Sequence, residues 1–170
     1  AKGYLVKIID EIDQTMSKQF KAAFQAINKH FQAIFGKLFG GGTASLNLLE
    51  PENLLDTGID IVVQPPGKKL QNLTLLSGGE RALTVIALLL AFLSYRPTPF
   101  CVVDEIDAAL DEANVQRFSE FLSEYAAKTQ FMVVTHRKGT MEAANVMYGV
   151  TMEQSGISKI VSVKFMDKAG

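Results

Sequence analysis

Two carboxylates stand side by side at Asp104 and Glu105, directly after the apolar run Phe100 to Val103. A hydrophobic strand ending this way places both at the C-terminal edge of a parallel sheet, where ligands bind in such folds. Asp104 is suited to hold Mg2+, usually through water, because that ion takes oxygen ligands. Glu105 can orient or deprotonate an attacking water. A strand that merely ends in surface polar residues fits the same pattern. Leu76, Ser77, Gly78, Gly79 and Glu80 stand just before a strongly apolar run. A serine and two glycines at a helix start leave backbone N–H groups uncovered, which suits a terminal phosphate. An ordinary Ser cap with flexible glycines is the alternative. Asp111 follows Ala109 and Leu110 and is expected to cap the next helix. His136 comes directly after the apolar run that ends at Thr135, at the same sheet edge as the two carboxylates, or else is a loop histidine without a role.

The elements that must position these residues follow from periodicity. Apolar residues at three- and four-residue spacing from Ile9 to Phe35 predict one long helix over Tyr4 to Phe35. No cap precedes it, as expected for a chain that begins partway along a coiled-coil helix; a long amphipathic surface helix fits equally. Gly40, Gly41 and Gly42 mark a turn. Strands are expected at Thr43 to Leu49 and Ile59 to Val63, with a loop around Pro51 and Asn53. Gly78 to Leu93 reads as a helix apolar almost all round, hence deeply buried. Then come a strand at Phe100 to Val103, a helix at Ala113 to Ala126, a strand at Phe131 to Thr135 and a short helix around Met141 to Ala144. Closing strands are expected at Val146 to Met152 and Ile157 to Phe165. Alternating strand and helix from Leu76 to Val150 predicts an α/β layer with a mostly parallel sheet.

Composition narrows the classes. The sequence has 170 residues, 17 basic and 18 acidic, for a formal net charge of -1. That balance excludes a globally basic nucleic-acid binder, so any DNA contact must come from a local patch. The lone Cys101 cannot form an internal disulfide and sits in an apolar run, as a buried reduced thiol does. The apolar run Ala82 to Leu93 is too short to span a bilayer and no leader pattern opens the sequence, so a soluble cytosolic protein is expected.

Taken in order, the four motifs resemble the ABC ATPase set: the signature motif at Leu76 to Glu80, Walker B at Phe100 to Glu105, the D-loop at Ala109 to Asp111 and the H-loop at His136. The Walker A loop, G-x-x-x-x-G-K-[ST], is missing. Gly36-Lys37 is followed by Leu38 and Gly67-Lys68 by Lys69, and neither has a glycine at the right upstream place. The chain by itself is therefore expected to bind ATP poorly. The stretches Gln64 to Asn72, Arg96 to Phe100 and Asp104 to Asp111 resemble SMC (structural maintenance of chromosomes) proteins, the first of them the bacterial ones.

The resemblance implies the C-terminal half of an ABC-type P-loop ATPase head. Residues 1–36 would be a neck or coiled-coil helix stub running into the head, and residues 37–170 the C-terminal lobe. The N-terminal Walker A lobe of the same protein would add strands beside Phe100 to Asp104 and cover an otherwise exposed apolar flank. The cofactors implied are ATP and Mg2+. Asp104 would help hold the metal, Glu105 would activate the attacking water, and His136 would contact the terminal phosphate. Ser77, Gly78 and Gly79 would act in trans on ATP held by a second head, with Asp111 and Arg81 at the head–head seam of a homodimer. A solvated helix-start side chain is the alternative for Arg81. Lys68 and Lys69 would contact DNA phosphates or belong to a solvated loop. A kleisin subunit would contact the neck helices and dock over Val146 to Phe165. The implied role is chromosome condensation and segregation by a cytoplasmic, nucleoid-associated ATPase without membrane contact. Alternatives are a coiled-coil ABC ATPase of DNA break repair, a transporter nucleotide-binding domain, which the long helix before the signature disfavours, and a fragment acting mainly as a kleisin-binding module.

Overall fold

The computed structural model describes residues 2–164. Phe165, expected to end the last strand, lies outside them. The chain forms two compact units, one running to Thr98 and the other starting at Pro99.

The first unit is built on α1 (Lys2–Phe39), longer at both ends than its apolar spacing required. Its two halves differ. Leu5, Ile9, Ile12 and Met16 recur at helical spacing yet are exposed, whereas Ile27, Phe31, Ile34, Phe35 and Leu38 are buried. In the buried half Phe31 meets Phe35 edge-on at 6.2 Å, and Phe35 stacks on Phe39 at 4.0 Å. Such pairs contribute about 0.5–1.5 kcal/mol each beyond their area burial.

Gly40, Gly41 and Gly42 all take positive φ and turn the chain into β1 (Thr43–Leu48). Gly42 is required there: a Cβ would lie 2.3 Å from the Gln64 carbonyl oxygen. β1 pairs antiparallel with β2 (Ile59–Gln64), which pairs antiparallel with the short β3 (Gln71–Asn72). β1 is an edge strand of this sheet. Asn28 of α1 ties to it by giving its amide NH2 to the Leu46 carbonyl at 3.1 Å and accepting the Leu46 N–H at 2.9 Å. The side-chain amide thus stands in for a neighbouring strand's peptide group. A 3-10 turn (Leu73–Leu75) leads into α2 (Gly78–Tyr95).

α2 packs on α1 and buries Leu83, Ile86, Ala87, Leu90 and Ala91. Two expectations change here. At 18 residues α2 is long and apolar enough, by length and composition alone, to cross a bilayer. Its seat against α1 instead makes it the core helix of this unit. It is also not buried all round, since Val85, Phe92 and Tyr95 remain exposed.

The second unit contains β4 (Phe100–Asp104), α3 (Glu112–Tyr125), β5 (Gln130–Val134) and α4 (Lys138–Glu142). β4 and β5 pair parallel, from Phe100 opposite Gln130 to Asp104 opposite Val134. A parallel pair requires a crossover, and α3 supplies it. β6 (Val146–Gln154) and β7 (Ile157–Lys164) form an antiparallel hairpin around Gly156. The α/β class is as expected, but among the described residues parallel pairing is confined to β4 and β5. The other strands are joined by short connections, which favour antiparallel ladders.

Candidate active site

Each candidate residue sits at an element boundary, in one unit or the other. In the second unit Asp104 ends β4, and Glu105 follows with φ +46°. Glu105 is the one non-glycine residue with positive φ among the described residues. That left-handed conformation is unfavourable for a side chain with a Cβ. It persists because the Glu105 N–H continues the ladder to the Val134 carbonyl at 2.9 Å, while its own carbonyl accepts the Ala108 N–H at 3.0 Å. The carboxylate is thereby brought to His136, whose Nδ1 lies 3.6 Å from Glu105 Oε1. Both side chains are about 60% exposed, 63% for His136 and 60% for Glu105, so both are open to a ligand. A histidine and a carboxylate at the ends of adjacent parallel strands can together orient a water.

Asp111 caps α3 as expected, accepting the Asn114 N–H at 2.8 Å. Four residues earlier, Asp107 is 0% exposed. Its Oδ2 accepts the hydroxyls of Thr135, at 2.7 Å, and of Thr140. Its Oδ1 has no hydrogen-bond partner among the described residues. Thr135 Oγ1 also accepts the Arg137 N–H at 2.9 Å, and the Arg137 guanidinium donates to the Leu110 carbonyl. Glu112 lies 3.9 Å from the same guanidinium. Sequence reasoning gave Asp107, Thr140 and Arg137 no role. The only available signal was that Thr135 and Thr140 flank His136; burial of an aspartate is not written in its spacing.

In the first unit Ser77 caps α2 through a capping box with Glu80. The Glu80 N–H reaches Ser77 Oγ at 3.4 Å, and Glu80 Oε2 accepts the Ser77 N–H at 3.1 Å and the Ser77 hydroxyl at 2.8 Å. Lys68 completes the group, 2.8 Å from Glu80 Oε1 and 3.0 Å from Oε2. Lys68 therefore belongs to an ion pair rather than to a free solvated loop. The Lys68 ammonium holds the Glu80 carboxyl below its ordinary value; burial opposes this and the Ser77 donors add to it. Arg81 donates to the carbonyls of Thr74, at 3.1 Å, and Leu76, at 3.3 Å, bracing the turn before the helix. A Cβ on Gly78 would meet nothing within 4 Å, so no packing among the described residues demands a glycine there.

The family described as RecF/RecN/SMC N terminal domain matches residues 25–159. The chain belongs to this family. Among its relatives, the chromosome partition protein Smc of Bacillus subtilis (strain 168) is 60% identical over 164 residues, covering 96% of this chain. The Smc of Desulfitobacterium hafniense (strain Y51) is 58% identical over the same share. The chain spans 14% of the length of each. Among solved structures, a Pyrococcus furiosus Smc head domain with an extended coiled coil, bound to the C-terminal domain of ScpA, aligns with a TM-score of 0.85. It is 39% identical over 96% of this chain and 41% of that one. A chain from work on ATP-driven dimerisation and DNA-stimulated activation of SMC ATPases aligns at 0.80, with 40% identity over 87% of this chain and 89% of that one. The fold is thus the α/β fold of an ABC-type SMC head fragment.

In the second unit Phe100 and Val102 of β4 share a face with Met132 and Val134 of β5, and all four are exposed. Parallel strands are ordinarily covered on both faces.

Proposed function

We propose that this chain is the C-terminal lobe of an SMC head which, joined by a Walker A lobe of the same protein, binds and hydrolyses ATP. The observation that carries this is Glu105, held in a strained backbone conformation 3.6 Å from His136 at the ends of two parallel strands. The exposed apolar face of Val102, Met132 and Val134 supports a missing companion sheet. Residues 1–36 would belong to the neck and coiled coil, whose exposed stripe of Leu5, Ile9, Ile12 and Met16 suits a partner helix.

The donor set fits Mg2+. Asp104 is exposed at the strand end, and one carboxylate is a usual protein share for an ion that keeps waters and phosphate oxygens as its other ligands. Bound Mg2+ would neutralise charge on the phosphates. Glu105 would orient and deprotonate the attacking water. His136 would contact the terminal phosphate, and its position beside Glu105 lets both face one water. Ser77, Gly78 and Gly79 would offer donors to ATP held by a second head. For this the Ser77 hydroxyl must exchange the Glu80 carboxylate for a phosphate oxygen. The absence of any internal packing demand at Gly78 supports close approach from outside. Arg81 would shape that surface by bracing the Thr74 to Leu76 turn, and Asp111 would lie at the same seam.

Two heads would close on two ATP molecules and separate after hydrolysis, because the terminal phosphate contributes contacts to both faces. In the full protein this cycle would act on DNA in chromosome segregation at the cytoplasmic nucleoid. A kleisin would dock on the hairpin of β6 and β7, where Tyr148, Val150, Ile157 and Ile160 are exposed. The relatives favour this over a DNA-break-repair ATPase of the same architecture.

The test is ATP hydrolysis by the complete head, native against Ser77→Arg. Collapse of hydrolysis with ATP binding intact supports a signature that acts in trans. Unchanged hydrolysis reduces Ser77 to a helix cap and removes the two-head mechanism.

A further inference from the structure

We propose that Asp107 is a positioning residue, a buried clasp that fixes His136 against Glu105 through Thr135 and Thr140. The inference rests on the ATPase reading above and assigns a residue which that mechanism does not use. His136 stands on an exposed connection between β5 and α4, where a side chain ordinarily samples several positions. Here both of its neighbours are bolted to the segment that carries Glu105. Thr135 gives its hydroxyl to Asp107, and Arg137 gives its guanidinium to the Leu110 carbonyl. The Arg137 N–H returns to Thr135 Oγ1, closing a ring of contacts around the histidine's backbone. Thr140, in α4, gives its hydroxyl to the same Asp107 oxygen, so the segment is pinned before and after His136.

Asp107 itself lies two residues after Glu105 and four before Asp111. The Leu110 N–H donates to its carbonyl at 3.1 Å, and the Ala108 N–H to that of Glu105, so the turn is rigid locally. One buried carboxylate oxygen therefore joins the water-activating end of β4 to the phosphate-contacting end of β5. Asp107 Oδ1, buried with no hydrogen-bond partner among the described residues, leaves that carboxylate incompletely satisfied there. Proteins tolerate such groups chiefly where the surroundings hold them for a purpose. Asp107 touches no reacting atom; its effect passes through the placement of His136.

The test uses the full-length protein with Thr140→Val, which keeps the volume and removes one hydroxyl, and Thr140→Ser, which restores it. Thr140→Val is expected to lower kcat about tenfold with KM for ATP within about twofold, as for a displaced catalytic group. Amide exchange of the segment 135–140 should speed about tenfold while α3 is unaffected, and Thr140→Ser should recover both readouts. Asp107→Ala should reproduce the loss, and if it does not fold, the threonine pair still decides. A parental kcat in Thr140→Val overturns the proposal. So does a loss that Thr140→Ser fails to repair, or faster exchange spreading through α3. If the parent protein hydrolyses no ATP, the ATPase reading falls by itself, and the exchange readout alone then upholds or overturns the clasp.

Discussion

The two motif-bearing regions are built differently. Around Glu105 and His136 the second unit uses a buried network of Asp107, Thr135 and Thr140, with Arg137 to one side, to hold exposed groups in one arrangement. Around Ser77 the first unit has a surface capping box and an ion pair, with Gly78 open on its outer side. A site that activates water needs its groups fixed before the ligand arrives. A site that completes another molecule's pocket needs an uncovered surface and donors that can change partner. The contrast is what the proposed division requires, with Glu105 and His136 acting in cis and Ser77 in trans.

The strongest way to break it is Glu105→Gln. Hydrolysis by the complete head is expected to fall about 10²-fold or more, with ATP binding retained, because the proposed general base is lost and the shape is not. Retained hydrolysis would place the base elsewhere. Mixing comes next. Heads carrying Ser77→Arg and heads carrying Glu105→Gln, each inactive alone, should together recover about a quarter of parental activity, since half the random dimers pair unlike heads and each of those has one intact site. Absence of recovery would mean both motifs serve the same pocket.

The glycines sharpen the comparison. Gly42→Ala should destabilise the head by roughly 1–3 kcal/mol, from the positive φ and the Gln64 oxygen, read as a lowered Tm. Gly78→Ala should leave Tm unchanged or slightly raised, because alanine favours a helix and meets nothing there, yet reduce hydrolysis. Equal Tm losses would dissolve the distinction. The smallest effect is at Lys68. A carboxyl lowered in the folded state contributes stability above its unfolded pKa, and that stability is lost as pH falls through the lowered value. Lys68→Met should therefore cost about 0.2–1 kcal/mol near neutrality, as for an exposed pair, and progressively less as acid protonates Glu80. A cost independent of pH would assign the effect to packing.

Local patterns were legible wherever one element sufficed. The spacing from Ile9 to Phe35, the glycine turn and the caps at Ser77 and Asp111 follow from propensity and hydrogen bonding over a few residues, and they stand in the structure as read. Strand ends at Asp104 and Val134 were legible within a residue, because apolar runs stop where polar residues begin. Less was legible about α2: its composition is apolar on every side, which does not indicate which side meets α1.

By itself the sequence determined which residues could do chemistry and at which element ends they stand, since periodicity and capping are local. Only the tertiary structure decided that β4 pairs parallel with β5, that Lys68 spends its charge on Glu80, and that Asp107 is buried between Thr135 and Thr140. Those outcomes join residues 12, 28 and 33 positions apart. Contacts of that separation depend on how the intervening helices and strands pack, which no local pattern records.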